Sequence, residues 1–170
     1  MFKRTLAAVF TVLLLLIGLS PSASAASRGT DRPFRAMATG QIHYDFTNPQ
    51  GCPASGFPDS PPFTSTLTAA GRATHLGTFS LSATHCESLG QSLNGLMTLT
   101  AANGDELYGT YATTWAVVDG QVIVDGNLFL DGGTGRFTDA TGTLVQHHVI
   151  TLTPEQPWPL QMSFTGTISY

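Results

Sequence analysis

The chain has 170 residues, with seven Lys and Arg against eleven Asp and Glu, a formal net charge of −4, and 42% hydrophobic residues. Lys3 is the only lysine, and Arg4, Arg28, Arg32, Arg35, Arg72 and Arg136 are scattered along the chain. Nucleic-acid binding needs clustered cations that displace counterions from phosphates, so that class is excluded, as is a polybasic membrane patch.

Residues 1–25 read as a secretory signal peptide. Lys3 and Arg4 precede the apolar run Leu6 to Leu19, and the small-residue stretch with Ala23-x-Ala25 supplies a cleavage site. The apolar run is shorter than the ~20 residues a spanning helix needs, so no membrane anchor is expected in the mature form. The expected product is secreted, either extracellular or periplasmic. Residues 26–33 then form a flexible tail, and residues 34–170 a single β-barrel domain, long enough for one core.

Beyond the tail, alternation of apolar and polar residues replaces helical periodicity. The first run places Phe34, Ala36, Ala38, Ile42, Tyr44 and Phe46 on one face and Arg35, Thr39, Gln41, His43 and Asp45 on the other. The stretch from Asn48 to Pro62 is dense in Pro, Gly and Ser and reads as a long surface loop. It contains Cys52. The other cysteine is Cys86, and in an exported chain the pair is expected to form a disulfide. Such a bridge would pin the loop to a strand ending near Cys86 and stabilise by about 3–4 kcal/mol. Further strands are expected over 63–70, 73–85, 93–101, 105–118, 121–130, 142–152 and 160–170. Asn103-Gly104 and Asp119-Gly120 suit tight hairpin turns, because these residues tolerate positive φ. Eight antiparallel strands can close on themselves and remove their edges; a two-sheet β-sandwich is the alternative fold. The run around Asp125 and Asn127 is apolar on both faces, which suits a barrel wall covered by a second copy in a homo-oligomer.

Between the sixth and seventh runs lies GGTGRFTDATG, residues 132–142. It lacks a Walker lysine and is not placed within a βαβ unit, so it is no phosphate-binding loop. Gly132 and Gly133 allow a sharp departure from a strand, Thr134 can cap one helical turn, and Phe137 and Ala140 then share a face that could plug a barrel end. Gly142 would end that turn.

The pattern G-G-T-G-R-F-x-x-A-x-G before a strand, with the Thr/Gly-rich final strand Phe164 to Tyr170, resembles the allene oxide cyclase-like and dirigent-like barrels, and small exported bacterial members in particular. The resemblance covers the C-terminal half. It implies an eight-stranded, calycin-like antiparallel barrel, often oligomeric in the plant relatives, around an apolar cavity. Plant allene oxide cyclases close a ring on a reactive fatty-acid epoxide, and dirigent proteins steer phenoxy-radical coupling. No active-site residue of those families maps onto a position of this chain.

For chemistry, there is no Gly-x-Ser-x-Gly elbow. No set of three or four converging metal ligands is visible, so neither a metal nor a cofactor is expected. His147 and His148 are adjacent in a strand and must face opposite sides. His75 and His85 share the parity of Phe79 and Leu81. They are the catalytic candidates, either as acid–base groups at a barrel mouth or as satisfied core-edge histidines. Tyr108, Tyr111, Trp115 and Asp125 are the ligand-contact candidates, with plain packing, or for Asp125 an edge position, as the alternative. Three functional readings follow: a barrel binding a small apolar or aromatic ligand, a cyclase or isomerase acting on a reactive lipid- or phenolic-type substrate, and a structural or interaction protein with a filled interior.

Overall fold

A computed structural model describes residues 30–47, 52 and 62–170. The segment read as a signal peptide and most of the Asn48–Pro62 loop lie outside the described residues. Eight strands follow in chain order: β1 (Arg32–Asp45), β2 (Phe63–Ala73), β3 (Gly77–Ser88), β4 (Gln91–Ala101), β5 (Glu106–Val118), β6 (Gln121–Gly133), β7 (Thr141–Thr151) and β8 (Trp158–Ser169). Each pairs antiparallel with the next. β8 returns to β1 with Phe34 opposite Gly166 and Ile42 opposite Trp158, so the sheet is a closed barrel rather than a sandwich. Closure leaves no unpaired strand edge.

The alternation does what the sequence implies. In β1, Phe34, Ala36, Ala38, Ile42 and Tyr44 are buried while Arg35, Met37, Thr39, Gln41 and His43 face water. Asp119 and Gly120 both have positive φ and join β5 to β6 in the tight turn expected of them.

Strand ends differ from the sequence reading by up to four residues, and two hairpins are displaced for identifiable reasons. Gly71 reads as turn punctuation but lies inside β2. A Cβ there would come within 2.0 Å of the Met37 carbonyl oxygen, so glycine permits close approach of β1 and not a turn. The turn falls instead at 74–76, where His75 and Gly77 have positive φ. At the other end, β3 continues to Ser88 and turns through Leu89 and Gly90, both at positive φ, before β4 starts at Gln91. Leu-Gly is not a usual tight-turn dipeptide, so the pattern hides this hairpin.

The two ends of the barrel differ. The connections 74–76, 102–105 and 134–140 gather at one end, where β1 begins and β8 finishes. GGTGRFTDATG closes it. Its helical part is one 3₁₀ turn, Gly135–Phe137, shorter than the turn expected, and Gly142 belongs to β7. Thr134 does not cap with its side chain; its Oγ1 accepts the Glu106 N–H at 2.9 Å. Phe137 is fully buried beneath the strands with its ring 4.9 Å from that of Tyr170, and Ala140 is buried beside it. The stretch is a plug.

The interior is graded along its axis. Near the plug it is apolar and filled, with Phe34, Leu99, Leu107, Leu128, Leu144 and Phe164 fully buried. Toward the opposite end it turns polar: Ser65, His85, Glu87, Ser92, Thr113, Gln146 and His148 are all buried there. Replacing Phe137 by Ala is expected to destabilise by about 3–5 kcal/mol, read as a lowered urea midpoint with near-unchanged slope. A loss under about 1 kcal/mol would show that the plug is not part of the core.

Candidate functional site

The open end is the one at which β1, β3, β5 and β7 finish, with the connections 89–90, 119–120 and 152–157 around it. Cys52 and Cys86 form a disulfide there, with Cα atoms 5.5 Å apart, tying the β1–β2 connection to the end of β3. Immediately on either side of Cys86, His85 and Glu87 point inward.

His85 and Glu87 share a face at i and i+2, the period of a strand. His85 Nε2 lies 2.7 Å from Glu87 Oε1, and its Nδ1 lies 2.6 Å from the Tyr111 hydroxyl on β5. Ser92 Oγ donates to Glu87 Oε2 at 3.0 Å, and the Trp115 indole Nε1 donates to the same oxygen at 2.8 Å. One proton arrangement gives every donor an acceptor. Tyr111 donates to Nδ1, a neutral His85 donates from Nε2, and Glu87 is an ionised acceptor of three bonds. The network then carries one net negative charge. Burial first, then the charge of Glu87, raises the pKa of both Tyr111 and Tyr44, so both phenols stay protonated.

Ser92 reaches Glu87 because of a bulge. Gly95, Met97, Leu99 and Ala101 face inward from β4, so strict alternation would turn residue 92 outward. The register slips between Ser92 and Gly95, with Asn94 at positive φ, and the extra residue re-aims Ser92 into the barrel. The Tyr111 ring then lies over Gly95, where an added Cβ would come within 2.5 Å of it.

Above the network the barrel opens into a cavity of about 220 Å³ walled by Tyr44, Phe46, Phe63, Trp115 and Trp158, with Val117, Val122 and Leu152 completing it. The rings support one another: Tyr44 is 5.7 Å from Phe63 and 5.3 Å from Trp158, and Phe46 is 4.8 Å from Phe63. Trp158 is oriented by donating its indole N–H to the Thr153 carbonyl at 3.0 Å. Tyr44 borders both this mouth and a small cavity below it, which His85, Glu87, Ser92, Tyr111, Thr113 and His148 line. Ser65 Oγ, Thr113 Oγ1 and Gln146 Nε2 are buried in this half without a hydrogen-bond partner. Each such atom costs about 1–3 kcal/mol unless water or a ligand group meets it.

The structure brings three of the sequence candidates together: His85, Tyr111 and Trp115. It leaves the other three apart. His75 sits in the β2–β3 turn at the plugged end, with Nε2 3.0 Å from the Pro33 carbonyl oxygen. Tyr108 is on the outer wall and donates to Glu106 Oε2 at 2.7 Å. Asp125 also points outward, where it pairs with His147 at 2.7 Å across β6 and β7. Glu87 and Ser92 were not candidates. Ending the third strand at 85 and starting the fourth at 93 removed them, and only the parity of His85 hinted that a residue at 87 would also face inward. Among the described residues no three His, Cys, Asp or Glu side chains converge as metal ligands.

Fold and site together define a closed antiparallel barrel with a plugged end and an aromatic mouth over a buried Tyr–His–Glu network. Comparison with protein-family models, curated proteins and solved structures gave no match.

His148 illustrates what burial does in this half. Its pKa is lowered to about 3, first by burial and then by neighbouring His85 and His147. The unfolded chain, with His near 6.5, therefore binds the proton that the folded state refuses between about pH 6.5 and pH 3. Stability is expected to fall as pH drops through that window, by on the order of 1 kcal/mol per unit from this group. His148→Gln should flatten the urea-stability profile there; an unchanged slope would assign the acid sensitivity elsewhere. Gly95→Ala should push the Tyr111 ring off its seat, seen as altered tyrosine near-ultraviolet dichroism with a stability loss of about 1–3 kcal/mol. Retention of the native dichroism would mean that Gly95 does not set the ring.

Proposed function

We propose that the protein binds a small apolar or aromatic molecule in the mouth of its barrel. The observation that carries this is the 220 Å³ opening walled by five aromatic side chains, above an interior that is otherwise filled toward the plug. Ligand sites are concave and largely apolar with a few placed polar groups, and those enclosing drug-sized molecules run to about 300–1,000 Å³. This mouth suits a smaller molecule or one part of a larger one. The N-terminal apolar segment and the Cys52–Cys86 disulfide support an exported protein. The likeness of GGTGRFTDATG to allene oxide cyclase-like and dirigent-like barrels supports the same reading, with membership of that superfamily part of the proposal.

A second reading, a cyclase or isomerase, is favoured by one specific observation. Tyr111, His85 and Glu87 form a continuous proton path beneath the mouth. Donation to a reacting oxygen uses the reversed chain, in which Tyr111 gives its proton to the substrate and regains one from His85 Nδ1, which in turn takes one from a protonated Glu87; such groups contribute about 10²–10⁴ in rate.

Both tryptophans of the chain line the mouth, so intrinsic fluorescence reports on it without a label. Small aromatics such as 1-naphthol are expected to give saturable quenching, weakened by about tenfold or more in Trp158→Leu. Quenching that never saturates, or that is untouched by this change, would remove the binding reading. The enzyme reading requires in addition that a bound epoxide or phenolic is consumed, and that His85→Gln slows its consumption by about a hundredfold.

A further inference from the structure

We propose that the molecule taken at the mouth is an organic cation, a quaternary or protonated amine on an apolar or aromatic body. This rests on the reading of the mouth as a ligand site and names the ligand's charge, which that reading leaves open.

Three independent observations point the same way. The first is the wall. Tyr44, Phe46, Phe63, Trp115 and Trp158 converge on one small space. Aromatic faces carry negative quadrupole density, and rings gathered around a space of this size attract a cation, most strongly where water is excluded.

The second is the floor. Glu87 is 3% exposed, and the proton arrangement described above leaves it ionised with a neutral His85. Its Oε2 accepts from the Trp115 indole, which itself walls the mouth. The carboxylate thus sits directly behind the aromatic surface and is met by hydrogen-bond donors, with no Lys or Arg of the described residues beside it.

The third is the distribution of charge along the barrel. Among the described residues, Arg32 and Arg35 lie at the start of β1, Arg72 at the end of β2 and Arg136 in the plug, all at the end away from the mouth. Asp45, Glu87, Asp119 and Glu155 lie at the mouth end, whereas at the other end Asp31, Asp105, Glu106, Asp131 and Asp139 accompany the arginines, so what distinguishes the mouth end is that no described Arg accompanies its carboxylates. A low-dielectric opening lined by one sign of charge concentrates the opposite ion. Among the described residues, an anionic ligand such as a fatty-acid carboxylate finds no Lys or Arg partner in this end.

The test compares three probes of similar size with the purified, oxidised protein: phenyltrimethylammonium, its uncharged isostere tert-butylbenzene, and benzoate. Binding is read by tryptophan fluorescence and confirmed by calorimetry near neutral pH in low salt. Phenyltrimethylammonium is expected to bind at least about tenfold tighter than tert-butylbenzene, the ratio a desolvated cation–aromatic contact supports, and benzoate more weakly than both. Glu87→Gln should bring the cation and its isostere within a few-fold of each other. Should that variant fail to fold, Phe63→Leu tests the wall in its place, with the same loss of preference expected. Equal or tighter binding of tert-butylbenzene overturns the cation inference and leaves the mouth as an apolar site. Saturable binding by none of the three overturns both.

Discussion

A buried carboxylate constrains this molecule more than any other single group. Moving an ion out of water costs several kcal/mol, recovered only if its lone pairs are met by donors in good geometry. Glu87 is met from three strands: by His85 on its own strand, by Ser92 on β4 and by Trp115 on β5. Much of the local architecture follows from that demand. The bulge at Leu93–Gly95 exists on the strand that must present Ser92, the glycine in it makes room for the ring of Tyr111, and Tyr111 occupies the nitrogen of His85 that Glu87 does not. Removing one partner would leave a charge stranded in a low-dielectric interior, so these residues behave as a unit.

The barrel resolves this cost by dividing its interior. One half is built as a protein core normally is, from phenylalanines and leucines that exclude water, and it is stoppered by Phe137. The other half concentrates the polar groups and then covers them with rings. Hydrophobic burial near the plug supplies the stability that the polar half does not, which lets the half beneath the mouth hold buried polar groups.

How much of this is legible in the sequence depends on which rule governs each residue. Alternation governs the strands, and so the eight antiparallel runs and the inward direction of His85 can be read from parity, whereas parity alone separates neither barrel from sandwich nor the inward from the outward face at Tyr111 and Trp115. Glu87 and Ser92 escape because their positions depend on a Leu-Gly hairpin with no distinctive turn chemistry and on a bulge that reverses the parity of β4. Gly71 misleads in the other direction: it resembles a turn signal, though its role is to let two backbones approach, and that misplacement puts His75 in a strand. Asp125 and Tyr108 are legible as polar points on a strand, but parity alone does not say which face of an apolar-on-both-sides strand turns to water. The plug is readable because the missing Walker lysine and the lack of a βαβ context argue against phosphate, while Phe137 and Ala140 on one face argue for a stopper.

The pairing of β8 with β1 has one more consequence. The first strand begins and the last strand finishes on the plugged end, with Arg32 opposite Ile168, while the aromatic mouth lies at the far pole. The described chain therefore has a built-in polarity: a handle at one pole and an aperture at the other. Anything attached through the C-terminus, whether a bead, a lipid or a second protein, leaves the aperture facing outward. An array of such molecules on a surface would present a uniform layer of identically oriented openings.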